Sequence, residues 1–119
     1  EEESRAVREG LDEEILAIYD LLVKPELNPQ EIKKIKKVAK ELLKTLKEKL
    51  KNLYKWQDKE PTRDEVKVLI RDFLWDDKTG LPVDYYNQND VVKKTDAVYY
   101  HVYRAYPTVP SPYYATIGS

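Results

Sequence analysis

The 119-residue sequence predicts an all-α fold, a four-helix array followed by an irregular proline-containing C-terminal tail. Three observations carry this prediction. Apolar residues recur at steps of three and four, the period at which side chains return to one face of a helix. Helix-start residues stand ahead of those periodic segments, and a proline or glycine stands behind them. No segment alternates convincingly enough to read as a strand. One domain is expected over 1–107, with helices at about 12–24, 29–54, 63–76 and 90–106, and an extended or mobile tail over 108–119.

The first helix, from about Asp12 to Lys24, places Leu11, Ile15, Ile18, Tyr19 and Leu22 on one face, while Leu16, Leu21 and Val23 widen it. A helix apolar on most sides belongs at the centre of an array. Lys24-Pro25 stops it, because the residue before proline is pushed out of the helical region.

The second helix begins with Asn28 as N-cap, Pro29 at the first helical position and Glu31 at the third, and runs to about Tyr54. Ile32, Ile35, Ala39, Leu42, Leu46, Leu50 and Leu53 form one stripe that must face a partner helix. A third helix follows Thr62 and Glu65, which read as a capping box, and its core face is Val66, Leu69, Ile70, Phe73 and Leu74. Gly80 lies just past its end. After an extended or turn-like connector over 81–86, the fourth helix opens near Asn89 or Asp90 and ends before Pro107. On a helical wheel Val91, Val92, Thr95, Val98, Tyr99, Val102, Tyr103 and Tyr106 share one broad arc, leaving Tyr100 outside it.

Composition sets the limits. At 41% hydrophobic and 36% charged, the chain suits one folded domain, which at this length buries roughly two thirds of the surface its unfolded form exposes. No run approaches the ~20 consecutive apolar residues of a bilayer span. The absence of cysteine excludes disulfides, thiolate metal sites and a cysteine nucleophile, and is compatible with a reducing interior. The chain opens on Glu1-Glu2-Glu3, with neither the basic start nor the apolar stretch of a signal peptide, and reads as a piece of a longer protein.

Charge is segregated. Between Glu31 and Lys55 ten lysines face three glutamates, in a chain whose net charge is −1. Lys33, Lys37, Lys40, Lys44, Lys47 and Lys51, at alternating steps of four and three, stack along one side of the second helix. Such a row suits a line of phosphates, and it equally suits a solvated face. The stretch contains no arginine, the residue that grips phosphate with two parallel bonds.

No catalytic or metal site is expected. The single histidine, His101, falls with Lys94, Ala97 and Arg104 on the side of the fourth helix away from the core and reads as a surface residue. Its place near the helix end favours the protonated form. Glu65-Val66-Lys67 and Asp76-Asp77-Lys78 match a short acid-x-Lys nuclease pattern but sit on or just after a helix, without an upstream strand-borne acid. There is no GxxxxGK[ST] loop, the only glycines are Gly10, Gly80 and Gly118, and Ser4, Ser111 and Ser119 lack a triad context.

Taken in order, several segments resemble the C-terminal helical region of the restriction (R) subunit of type I restriction-modification enzymes. They are Gly10-Leu11-Asp12-Glu13-Glu14 with Ile15-Leu16-Ala17-Ile18-Tyr19-Asp20-Leu21-Leu22, then Val38-Ala39-Lys40-Glu41-Leu42-Leu43 and Trp56. The helix over 63–74, Leu81-Pro82 with Tyr85 or Tyr86, His101-Val102-Tyr103 and Tyr106-Pro107 complete the series. Order and spacing, rather than any single motif, carry the resemblance.

The resemblance implies a large cytoplasmic polypeptide with a nuclease domain and ATP-hydrolysing, DNA-translocating motor domains. It implies partners in modification and specificity subunits, and ATP and Mg²⁺ as cofactors. None of the nuclease or ATP-binding motifs has a counterpart here, so this segment is expected to hold no cofactor. Three readings stay open. The chain is an assembly module docking the motor onto the methyltransferase core, with Tyr100, His101 and Arg104 as partner surface. Alternatively it contacts DNA through the lysine row, or it is an unrelated helical adaptor.

Overall fold

The computed structural model describes residues 2–115, and no strand occurs among them. The chain forms α1 (Glu2–Glu9), α2 (Glu13–Leu22), α3 (Pro29–Lys51), a 3-10 turn (Trp56–Asp58), α4 (Glu60–Trp75), α5 (Gln88–Ala105) and the single turn α6 (Pro112–Ala115). Helices α2 to α5 are the four expected from periodicity. Each packs on the next, and α5 returns to α2, so the array closes into a ring around one core.

That core is built from the stripes read in the sequence. Leu16, Ile18 and Leu22 of α2, Ile35, Leu42 and Leu46 of α3, Val66, Ile70 and Leu74 of α4, and Val98 and Val102 of α5 are almost fully withdrawn from solvent. Burying a side chain of this kind stabilises the fold by ~1.5–3 kcal/mol. Trp56, which no helical stripe contains, is fully buried among them.

The N-cap at Asn28 forms as expected: its side chain accepts from the Glu31 N–H at 2.9 Å, with Pro29 opening α3. Helix α3 stops at Lys51, short of Tyr54, where Asn52 caps it. The start of α4 corrects the capping-box reading. Pro61 sits in its first turn and the helix begins at Glu60, so Thr62 lies inside it. Its hydroxyl donates instead to the carbonyls of Trp56 (2.6 Å) and Lys59 (3.0 Å), while Glu65 pairs with Lys49. The capping box of the protein is at α5: Asn87 accepts from the Asp90 N–H at 2.8 Å, and Asp90 accepts from the Asn87 N–H at 3.0 Å. This places the start of α5 at Gln88, ahead of the predicted Asn89 or Asp90.

Two glycines are required by geometry. Gly10 has φ +74°, ending α1 in a left-handed residue while the Leu11 N–H reaches back to the Ala6 carbonyl at 3.0 Å. Gly80 faces the end of α4, where an added Cβ would stand 2.2 Å from the Leu74 carbonyl oxygen.

Helix α1 is an addition to the four-helix expectation. Ala6 is buried, and polar bonds also tie the helix down. Arg5 grips Asp20 with two bonds of 2.7 and 2.6 Å, and Lys36 pairs with the Glu9 carboxylate at 2.9 Å. The segment after Pro107 also departs from a uniformly extended course. Ser111 is buried, its hydroxyl donates to the Ala105 carbonyl, and its oxygen receives the Tyr113 N–H at 3.1 Å as α6 begins. Residues 116–119 of the expected tail lie outside the described residues.

Candidate functional site

The lysine row lies on the outer side of α3. At ~100° per residue its six members fall within an arc of about 80°, away from the buried stripe. Lys33, Lys37, Lys40, Lys44 and Lys51 are exposed, and no ion pair engages them among the described residues. Lys47 is different. It turns toward α2 and pairs with Glu14 at 2.9 Å, and Glu14 also accepts the Tyr106 hydroxyl at 2.7 Å. This chain of contacts joins α3, α2 and the end of α5, so Lys47 is committed to the fold.

At the N-terminal half of the row, the surface is concave. A groove of about 660 Å³ runs between α3 and the α4–α5 loop, with Lys33, Lys34 and Lys37 on one wall, Phe73, Lys78 and Thr79 on the other, and Val38 among its apolar residues. Neither Lys34 nor Lys78 belongs to the periodic row. Only the packing of the loop against α3 brings them together.

The tyrosine-rich end of α5 is divided between core and surface. The Tyr106 hydroxyl is buried, and burial first, then its bond to Glu14, raises its pKa. Tyr99 and Tyr103 set their ring edges against Trp56 at centroid distances of 6.1 and 5.8 Å, although Tyr103 remains 39% exposed. Val92, placed on the core arc by the wheel, is 48% exposed and lies at the outer seam of α4 and α5.

His101 departs from the surface reading. It lies between Tyr106 and Tyr114, with Nε2 3.3 Å from the Tyr114 hydroxyl. Burial and then the neighbouring Arg104 charge hold its pKa below the usual histidine value. The desolvation cost of a charged ring outweighs the helix-end effect expected from sequence. Tyr100 is 65% exposed, with the Arg104 guanidinium over its ring at 5.7 Å. The three residues of the expected partner surface are thus split: Tyr100 and Arg104 face outward, and His101 is half-buried under α6.

A second concave surface was not foreseen. Helices α4 and α5 run antiparallel, and their outer seam holds a groove of about 540 Å³ lined by Asp64, Lys67, Val68, Arg71, Val92, Thr95 and Asp96. A smaller depression of about 310 Å³ continues it past Arg71 and Val92 to Trp75. Trp75 is 54% exposed, and Val68 and Val92 are also open to solvent. Thr95 is 3% exposed, yet its hydroxyl has no hydrogen-bond partner among the described residues. The rim charges are balanced internally, Lys67 on Asp96 and Arg71 on Asp72, each at 3.3 Å. The one sequence signal for this surface is Trp75, an aromatic at the end of α4 outside its core stripe.

Among the described residues no cluster of His, Cys, Asp or Glu could hold a metal ion. No helix among them is long and apolar enough to cross a membrane.

Comparison with known proteins gives one match. The family model described as "Type I restriction enzyme HindI endonuclease subunit-like, C-terminal" matches residues 1–98. It includes α1, which the sequence resemblance had left out, and ends within α5, short of the His101-Val102-Tyr103 segment. No curated protein and no solved structure matches the chain.

Proposed function

The chain belongs to the family of C-terminal domains of type I restriction enzyme HindI endonuclease subunit-like proteins, and on that premise we propose that it is an assembly module. In this reading it docks an ATP-dependent DNA-translocating endonuclease subunit onto its modification and specificity subunits. ATP hydrolysis and Mg²⁺-dependent cleavage belong to other parts of that subunit, and the assembly works in the cytoplasm.

The observation that carries the reading is the outer seam of α4 and α5. Val68, Trp75 and Val92 leave apolar surface in water, and the Thr95 hydroxyl below them lacks a partner among the described residues. A buried, unsatisfied hydroxyl costs a folded protein ~1–3 kcal/mol unless something supplies the missing bond. Because Lys67 and Arg71 already sit on aspartates, the seam offers no excess charge to a polyanion. An amphipathic protein helix, with its apolar face over Val68 and Val92, suits it better.

The test is co-elution of the 119-residue chain with assembled modification and specificity subunits. The chain is expected to associate at micromolar concentration, and Val68→Glu with Val92→Glu is expected to abolish association while the circular dichroism spectrum stays helical. Failure of the folded wild-type chain to associate would overturn the docking reading. A second reading, contact with DNA, is favoured by the exposed Lys33, Lys37, Lys40 and Lys44, which make no ion pair among the described residues. Reversing Lys37, Lys40 and Lys44 to Glu is expected to weaken salt-sensitive DNA binding; unchanged affinity at low salt would end that reading.

A further inference from the structure

The groove between α3 and the α4–α5 loop is built differently from the rest of the lysine face, and its second wall is fixed. The Asp76 carboxylate accepts the backbone N–H groups of Lys78 at 2.7 Å and Thr79 at 3.3 Å. The Thr79 hydroxyl donates to the Phe73 carbonyl at 2.9 Å. Gly80 and Leu81 then return their N–H groups to the carbonyls of Asp76 and Leu74, at 2.8 and 2.9 Å. With Asp76 turned to the backbone and Gly80 packed against Leu74, the Lys78 side chain is carried on a stapled loop opposite α3.

Four ammonium groups, those of Lys33, Lys34, Lys37 and Lys78, therefore line one cleft with a single carboxylate, Glu41. None of the four makes an ion pair among the described residues. Lys33 and Lys37, and Lys34 and Lys37, stand at helical spacings where like charges repel. An anion in the cleft would relieve that repulsion. The apolar surface of Phe73 and Val38 in the same cleft adds what a bare phosphate does not need, a face for a planar ring. At about 660 Å³ the volume falls in the range of small-ligand sites.

We propose that this groove binds a nucleotide, with its phosphates on Lys33, Lys34, Lys37 and Lys78 and its base against Phe73. The nucleotide is supplied either free or as a unit of a single strand. Lysines act as point charges without the bidentate grip of arginine, so binding depends on salt. The inference is independent of docking through α4 and α5, which lies on another face.

The experiment uses the 119-residue chain and three probes at low salt: inorganic tripolyphosphate, ATP and a labelled oligothymidylate, read by calorimetry or fluorescence anisotropy. Lys34→Glu with Lys78→Glu is expected to weaken ATP or oligothymidylate binding at least ~10-fold, with a log–log salt slope for the strand of about −2 to −3. Lys59→Glu with Lys93→Glu makes the same change in net charge at exposed positions outside both the cleft and the lysine row and is expected to alter affinity less than ~3-fold. Phe73→Leu, which keeps the apolar packing, is expected to weaken the base-bearing probes and leave tripolyphosphate unchanged. The stronger competitor of ATP and oligothymidylate identifies the source. Absence of binding by both, or equal losses from the two lysine pairs, would overturn the proposal. Indifference to Phe73→Leu would overturn the base contact.

Discussion

Trp56 donates its indole N–H to the backbone carbonyl of Tyr106 at 2.7 Å, across 50 residues of sequence and entirely out of solvent. The bond fastens the turn between α3 and α4 to the residue that caps the C-terminus of α5. The same tryptophan receives the ring edges of Tyr99 and Tyr103, and its own carbonyl accepts the Thr62 hydroxyl. Trp56→Phe leaves the Tyr106 carbonyl without that donor and opens space in the core. It is expected to lower stability by about 2–4 kcal/mol. Urea unfolding checks this, and a loss under ~0.5 kcal/mol would mean that the bond contributes little net free energy.

Gly80→Ala tests the stapled loop. The new methyl group would meet backbone oxygens at 2.2 Å (Leu74) and 2.5 Å (Asp76), which cannot swing aside as a long side chain can. The substitution is expected to cost about 1–3 kcal/mol. In hydrogen exchange, the amides of Gly80 and Leu81 should lose protection ahead of those of α4.

Thr95→Val should do the reverse. It replaces a buried hydroxyl that has no partner among the described residues with a methyl group of similar shape, and is expected to stabilise the free chain by about 1 kcal/mol. If the hydroxyl is kept for a docked partner, the same variant binds that partner more weakly. A thermal scan and the co-elution assay measure the two effects separately, and a stability loss would show that the hydroxyl is satisfied in solution.

His101 makes stability depend on pH. Its folded pKa lies below the unfolded value of 6.5, owing to burial and then to Arg104. The folded state therefore binds fewer protons than the unfolded state over that interval. Its contribution is complete above about pH 6.5 and is lost as pH falls through the lowered value. The urea midpoint of the wild-type chain is expected to drop more than that of His101→Gln between about pH 7.5 and pH 5.5. An NMR titration midpoint at or above 6.5 would contradict the burial argument. Removing the covering ring with Tyr114→Ala should move the midpoint back toward 6.5.

What the sequence showed depended on how local each signal was. Asn28-Pro29 names the start of α3 because a cap is settled within four residues. Thr62 misled because Pro61 supports a helix start one turn earlier, leaving the hydroxyl to bridge back to Trp56. Helix α1 was passed over because the partners of Arg5 and Glu9, Asp20 and Lys36, lie far along the chain. The candidate surfaces divide in the same way. The row from Lys33 to Lys51 is a periodicity of one helix and could be read directly. The addition of Lys78 and the isolation of the Thr95 hydroxyl arise where two elements meet, and no spacing within either element announces them.

The closed ring of helices has a consequence for how the chain comes to fold. Its closing contacts join α2 to α5, and the Tyr106 hydroxyl reaches Glu14 over 92 residues. Little of the core between them can be sealed until that loop is shut, and shutting it late carries the entropy of a long chain. During synthesis, α2 and α3 can pair as a hairpin while Leu16, Ile35 and Leu46 wait for α4 and α5 to cover them. A ribosome pausing before Tyr106 would therefore hold a sticky half-bundle, and stop-codon truncations in α5 are expected to aggregate rather than yield a smaller folded unit.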